Sequence, residues 1–184
     1  INATQDDGNC CYTNLDDYII QQIGESINGE QYDYSGTVAM SGNGNIIAIG
    51  SNSFYNNNAG EVGIYEKNND SWIQIGTISG NQGDSFGYSI SLNYDGTILA
   101  IGSMNNSDVG INSGQVKIYS YNNNYWFQLG SDINGEYNND IPNNNGGEAL
   151  GWSVSLSSDG NRVAIGSPEY NYSIPGTWSY SYDA

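Results

Sequence analysis

Short apolar runs built from Ile, Val, Leu, Tyr and Trp alternate along the chain with polar stretches of Asn, Gly, Asp and Ser. Runs of about four to eight such residues, bounded by turn residues, are typical of β-strands. The clearest series contains four runs, at residues 86–92, 98–103, 114–119 and 126–130. An Asp95-Gly96 pair separates the first two runs and predicts a tight hairpin turn with positive φ angles. The pattern predicts an all-β protein.

The same series occurs three times, and this internal repetition is the strongest feature of the sequence. The equivalent glycines Gly50, Gly102 and Gly166 are separated by 52 and 64 residues. We therefore divide residues 18–184 into three units, at about 25–76, 77–130 and 131–184. Four short antiparallel strands in each unit predict a propeller-like domain of three sheets, a three-sheet propeller or prism.

A sequence that matches the fourth strand of a unit lies near the N-terminus, before the first unit. Residues 20–24 match the fourth strands at 72–76 and 126–130, whereas the third unit stops before its own fourth strand. Residues 18–24 are therefore predicted to complete the third sheet, in the same chain or in a neighbouring one. The first arrangement closes a monomer, and the second joins copies head to tail.

The ordered motifs of the middle unit are Phe86-Gly87, Asp95-Gly96, Ile101-Gly102-Ser103 and Gly114-x-Val116. This series resembles the FG-GAP repeat of integrin-α-like β-propellers, over nearly all of residues 18–184. The resemblance implies an extracellular adhesion or ligand-binding module, often a calcium-dependent one.

Candidate calcium ligands lie in the hairpin turns, at Asn93, Asp95 and Asp159. Calcium normally collects about six to eight oxygen ligands. The turn of the middle unit offers only Asn93 and Asp95, and Leu99 falls near the position of a final carboxylate. We therefore expect plain hairpin turns and no resident cofactor, with calcium as the weaker alternative.

Charge narrows the range of partners, because 3 basic and 20 acidic residues give a formal net charge of −17. Nucleic acid requires a basic surface, and an anionic membrane would be repelled. No apolar run approaches the roughly 20 residues of a membrane-spanning helix. We expect no nucleic-acid binding and no membrane insertion. Further copies of the chain, and glycans, remain as partners.

The chain lacks histidine, which excludes Ser-His-Asp catalysis and His-ligated metal sites. No pair of carboxylates is singled out for glycoside hydrolysis. Trp72 and Trp126 occupy equivalent positions, which indicates packing rather than a platform for sugars. We therefore expect that the chain is not an enzyme.

Residues 1–17 match no repeat and form either an N-terminal extension or an intermolecular arm. They contain the only two cysteines, Cys10 and Cys11. Adjacent cysteines bridge each other only through a strained ring. Free or vicinal thiols, bridges to another chain and a metal site all remain open. The candidates for intermolecular contact are Cys10, Cys11, Ile20, Gln22 and Ile23.

Four Asn-x-Ser/Thr sequons make Asn2, Asn69, Asn105 and Asn171 candidates for glycosylation. Together with the family resemblance, they predict a secreted or surface-exposed glycoprotein. We expect an extracellular structural or adhesive protein, a self-assembling subunit of a fibre or surface layer. The alternative is a monomeric propeller-like module that binds carbohydrate or protein.

Overall fold

The computed structural model describes residues 22–29, 35–51, 59–136, 147–168 and 177–183. Within these residues no helix is present, and the strands form three antiparallel sheets. The all-β prediction is confirmed.

Each sheet is built from strands that are consecutive in sequence. Sheet 1 contains β1 (Ser35–Met40), β2 (Ile46–Ser51), β3 (Glu61–Asn68) and β4 (Ser71–Ser79). Sheet 2 contains β5 (Phe86–Leu92), β6 (Ile98–Ser103), β7 (Gln115–Asn122) and β8 (Tyr125–Gln128), with the two-residue β9 (Ile133–Asn134) also paired to β7. Sheet 3 contains β10 (Ser153–Leu156), β11 (Arg162–Pro168) and β12 (Thr177–Asp183).

Two apolar cores join the three sheets in series. The first core lies between sheets 1 and 2, and its buried side chains include Ile46, Ala48, Val62, Ile64, Phe86, Ile90, Leu92, Leu99 and Ile101. The second core lies between sheets 2 and 3 and is built on Ala100, Val116, Leu150, Val163 and Ile165. Because side chains alternate across a strand, sheet 2 contributes one face to each core.

Glycine allows the backbones of successive sheets to approach closely. Gly60 forms a parallel bridge with Phe86, and Gly114 forms the equivalent bridge with Leu150. A Cβ atom added to Gly60 would overlap the Phe86 carbonyl oxygen, and one added to Gly114 would overlap the backbone of Leu150. Both glycines also have positive φ angles, 77° and 78°. A larger residue at these positions would separate the sheets.

The three equivalent hairpin turns differ from the predicted type. Gly44, Gly96 and Gly160 have positive φ, but the Asn or Asp before each of them does not. A polar side chain at the start of each turn accounts for this, because it accepts a hydrogen bond from the backbone where the next strand begins: Ser41 from Ile46, Asn93 from Ile98, and Ser157 from Arg162. Two successive positive φ angles occur instead at Asn123 and Asn124, between β7 and β8.

The bridge glycine should be more sensitive to substitution than a turn glycine of similar φ. Gly44→Ala is the control, because Gly44 has φ 72° and no atom within 4 Å of an added Cβ. We expect it to cost about 1 to 2 kcal/mol of unfolding free energy from backbone strain alone. Gly60→Ala should cost about 1 to 3 kcal/mol more, because it also forces the sheets apart. Equal losses in urea denaturation would contradict this assignment.

Candidate functional site

An open groove lies at the outer edge of the interface between sheets 2 and 3. Its volume is about 590 Å³. The lining is mainly apolar and includes Ile118, Leu129, Gly130, Ile133, Leu156 and Val163. The groove is therefore suited to an apolar segment of chain.

The equivalent place between sheets 1 and 2 is filled by a fourth strand. Trp126 of β8 packs against the first core, as its repeated position predicted. A Cβ atom added to Gly76 of β4 would lie 2.7 Å from the Trp126 ring. Gly130 is the sequence equivalent of Gly76, and an added Cβ there would meet nothing within 4 Å. The groove thus lies where the fourth strand of sheet 3 would pack.

Sheet 3 has three strands in the described part of the chain, in the order β10-β11-β12. The pairing of β12 with β11 extends over seven residue pairs, from Pro168↔Thr177 to Arg162↔Asp183. The other edge of β12 has no partner among the described strands. It is a long edge that can receive a further strand.

Gln22–Gly24 has the local conformation of a fourth-strand end. Gly24 and Gly130 share a φ of 75°. The Gln22 side chain donates a hydrogen bond to the Gly24 carbonyl at 3.0 Å, and Gln128 donates to Gly130 at 3.4 Å. The sequences that follow, Ile27-Asn28-Gly29 and Ile133-Asn134-Gly135, also match.

This segment lies beside sheet 1. A Cβ atom added to Gly24 would lie 3.0 Å from the Asp70 carbonyl oxygen, in the turn between β3 and β4. Gln22 and Ile23 are exposed and belong to no strand. In the described residues, the predicted fourth strand is therefore not paired with sheet 3 of its own chain. Ile20, Cys10 and Cys11 lie outside the described residues.

A second candidate site, which is polar, lies where the loops of sheet 2 converge. Gln115, 1% exposed, places its Nε2 3.0 Å from Asp108, 3.3 Å from Asp132 and 2.8 Å from Asn134. Lys117 forms an ion pair with Asp132 at 3.6 Å. The Gln115 Oε1 is buried and has no hydrogen-bond partner among the described residues. This network links the start of β7 to β9 and to the loop after β6.

Asp84 extends this network from the loop before β5. Its carboxylate accepts a hydrogen bond from Asn106 Nδ2 at 3.0 Å and one from the Asn81 backbone at 3.3 Å. Asp84 is only 7% exposed. Burial raises its pKa above the ordinary value, Asp108 adds to the increase, and the bonds from Asn106 and Asn81 oppose it.

Two of the candidate calcium ligands, Asn93 and Asp159, form hydrogen bonds within the hairpin turns. Asn93 is buried, and its Oδ1 accepts hydrogen bonds from the Thr97 and Ile98 backbone. Asp159 accepts from Ser157 and from Asn161, and the bond from Ser157 is the main cause of its lowered pKa. Asp95 and Asp159 are exposed and line one shallow depression of about 430 Å³.

Among the described residues, no group of three or more Cys, Asp or Glu side chains is arranged to hold a metal ion. The described residues likewise include no helix that is long and apolar enough to cross a membrane.

The two described sequons differ in accessibility. Asn69 is exposed in the turn between β3 and β4, with φ 54°. Asn105 is half-buried, and its Nδ2 donates a hydrogen bond to Ser85 Oγ at 2.8 Å. Glycan attachment uses this nitrogen, so Asn69 is the better acceptor. Asn2 and Asn171 lie outside the described residues.

Sequence reasoning missed the buried amides. Asn106 and Gln115 occur in polar loop sequence that resembles the other Asn-rich loops, and no local pattern distinguishes them. Their burial depends on contacts with Asp84 and with β9, which are about 20 residues away. A partial signal was the position of Gln115 at the start of the third strand of its unit.

No protein-family model and no curated protein matches this sequence. Among solved structures, a putative 6-phosphogluconolactonase from Bacteroides uniformis is similar, with a TM-score of 0.54 and 13% identity over 94% of this chain. Sqt1 from Saccharomyces cerevisiae has a TM-score of 0.48 and 13% identity over 90% of the chain. The chain spans 47% and 39% of the lengths of these two proteins. The similarity to the Bacteroides uniformis protein shows a similar fold and nothing more.

The expectation that the chain is not an enzyme was wrong. It rested on the absence of histidine and of a distinct carboxylate pair. The fold is shared with the Bacteroides uniformis protein, which bears an enzyme's name. An all-β fold of this kind therefore does not exclude catalysis. The resemblance to the FG-GAP repeat stays a prediction.

The buried Asp84 should make stability depend on pH. Its raised pKa means that its contribution is fully present below the unfolded pKa and is lost as the pH rises through the folded pKa. We expect the wild-type chain to lose stability relative to Asp84→Asn as the pH rises above the ordinary pKa of 3.8. Urea unfolding across this range measures the slope of the difference.

Asp159→Asn is the matched control, because the pKa of Asp159 is lowered. A lowered pKa contributes stability above the unfolded value, and this is lost as the pH falls through the folded pKa. The wild-type chain should therefore gain stability relative to Asp159→Asn as the pH rises. Slopes of the same sign for both variants would contradict the assignment.

Glycosylation should favour Asn69 over Asn105. We expect expression in a glycosylating eukaryotic host, followed by peptide mass spectrometry, to find higher occupancy at Asn69. Asn69→Gln should remove this glycan, whereas Asn105→Gln should leave the total glycan mass nearly unchanged. Higher occupancy at Asn105 would show that the Ser85 contact does not protect its nitrogen.

Proposed function

We propose that this chain is an extracellular structural or adhesive subunit that self-assembles by strand exchange into a fibre or surface layer. Its three sheets act as propeller-like repeats, and residues 18–24 of a neighbouring copy complete sheet 3. One observation carries the proposal. Gln22–Gly24 has the conformation of a fourth-strand end, yet it lies beside sheet 1 of its own chain.

The proposed acceptor consists of the edge of β12 that no described strand pairs, together with the groove between sheets 2 and 3. An unpaired strand edge offers backbone donors and acceptors to an added strand, and adjacent pockets select its side chains. Sheet 2 provides the pattern, because its fourth strand places Trp126 over Gly76. Ile20 has the sequence position of Trp126 and is the side chain expected over Gly130.

The donor segment is suited to burial. Residues 18–24 carry no charged side chain, although the chain as a whole has a net charge of −17. Burying this segment therefore desolvates no charge of its own, although Asp132 and Arg162 are part of the groove lining. The donor and the acceptor are different surfaces, so the contact joins copies head to tail. Strand exchange of this kind is a route to extended assemblies.

Removal of residues 1–24 tests the proposal. We expect the full chain to associate with increasing concentration in sedimentation velocity, and the truncated chain to remain a folded monomer. Association should also increase from 0.15 to 0.5 M NaCl, because salt screens the repulsion between acidic copies. Circular dichroism and urea unfolding report whether the truncated chain keeps its fold.

A peptide of residues 18–24 keeps the test informative if the truncated chain unfolds. Added in excess to the full chain, it should occupy the acceptor and lower the association. A scrambled peptide of the same composition is the control. A full chain that stays monomeric at all concentrations would contradict the proposal and favour the alternative, a monomeric module that binds carbohydrate or protein.

A further inference from the structure

At the β1 edge, one apolar face of sheet 1 is exposed among the described residues. We define the outer face of sheet 1 by Val38, Met40, Ile49 and Tyr65, which share a side through the register of β1, β2 and β3. Val38 is 69% exposed and Met40 is 59% exposed. The face carries no charged side chain at these positions.

The equivalent face of sheet 2 is covered. Ile90 and Leu92 have the repeat positions of Val38 and Met40, and each is only 8% exposed. Both belong to the first core, against sheet 1. The same side of sheet 3 contributes Val154 and Leu156 to the second core, against sheet 2. In sheets 2 and 3, the face that carries these large apolar side chains therefore packs on the preceding sheet.

The opposite end of the molecule exposes a face of small residues. We define the outer face of sheet 3 by Ser153, Ser155, Ala164 and Gly166, which share a side through the register of β10 and β11. The first three are exposed. Their counterparts in sheet 2 lie against sheet 3, and Ala100, the counterpart of Ala164, is 0% exposed.

Two specific contacts between sheets 2 and 3 show how a small face meets a large one. Ser91 Oγ accepts a hydrogen bond from the Leu156 backbone at 2.9 Å. Ser89 Oγ donates to the Gly151 carbonyl at 2.7 Å. Between sheets 1 and 2, Thr37 donates in the same manner to Tyr88 at 2.9 Å. The pairing of the two kinds of face is thus observed twice.

We propose that the outer face of sheet 3 of one copy packs on the outer face of sheet 1 of a second copy. This inference rests on the proposed self-assembly and names the surfaces that perform it. By repeat equivalence, Ser155 of one copy then lies against Met40 of the other, as Ser91 lies against Leu156. The four residues that define each face are uncharged, which reduces the repulsion expected between copies with a charge of −17, although Arg162 lies on the same side of β11 as Ala164.

The location of Gln22–Gly24 fits this arrangement. Gly24 contacts the β3–β4 turn of sheet 1, as Gly76 contacts β8 of sheet 2. The segment therefore occupies, beside sheet 1, the place of a fourth strand of a preceding sheet. When sheet 3 of a second copy packs on the outer face of sheet 1, this segment lies next to its free edge. Face packing and strand donation then act at one contact.

Cysteine cross-linking between copies tests the proposal. In a Cys10→Ser, Cys11→Ser background, one chain carries Met40→Cys and a second carries Ser155→Cys. The two chains are mixed under mild oxidation and analysed by non-reducing electrophoresis. We expect the mixed disulfide to form about tenfold faster than either chain links to itself, because the contact joins two different faces. Ile111→Cys, on an exposed loop residue, is the control partner.

A second variant tests the same contact without a cross-link. Val38→Glu introduces a charge at a residue that is 69% exposed, so the isolated fold should tolerate it. We expect association to weaken by at least about tenfold in sedimentation velocity. Ile111→Glu is the matched control and should leave association unchanged. Urea unfolding of both variants confirms that the fold persists.

The outcomes separate the two proposals. A full chain that never associates overturns both the self-assembly and the packing of the faces. A full chain that associates while Met40→Cys links equally well to every partner overturns only the packing of the faces. Val38→Glu without effect on association does the same.

Discussion

The close approach of one sheet's backbone to the next is the contact on which the rest of this structure depends. It is possible only where the side chain is absent, at Gly60 against Phe86 and at Gly114 against Leu150. Inner-strand glycines act in the same way, since Gly50 and Gly102 lie against the backbone of Gly87 and Gly151. Between these points the apolar faces close the two cores. The repeat is therefore a unit of packing between sheets as well as a unit of sequence.

The packing is directional, because the two faces of a sheet contact different neighbouring sheets. Sheets 2 and 3 present large apolar side chains such as Leu99 and Ile165 to the sheet before them. Sheet 2 presents the small Ala100 together with Val116 to the sheet after it. At the two ends of this series, Val38 and Ala164 are exposed among the described residues. Because the two end faces differ, the proposed packing of one on the other joins unlike surfaces. Association of that kind is head to tail, whether it closes a ring or continues as a fibre.

Charge and burial act against each other in this chain. A net charge of −17 opposes contact between copies, whereas the segment 18–24 and the four residues that define each end face carry no charge. The carboxylates of Asp84 and Asp108 lie in loops of sheet 2. They accept hydrogen bonds from the buried amides of Asn106 and Gln115. Asp84 is the costly member of that network, because burial raises its pKa. Ionisation of Asp84 at neutral pH therefore opposes folding, while its hydrogen bonds connect the loops of sheet 2.

The sequence by itself determined the strands, the repeats and the turn glycines, because alternation and glycine placement are local properties of the chain. It also indicated that residues 20–24 are a fourth strand. Only the tertiary structure decided that Gln22–Gly24 lies beside sheet 1, that Ser41 and Asn93 set the turn type, and that Gln115 is buried. These features depend on contacts between residues distant in sequence, and no local pattern records such contacts. The expectation about catalysis failed for a related reason, since a fold admits chemistry that composition does not reveal.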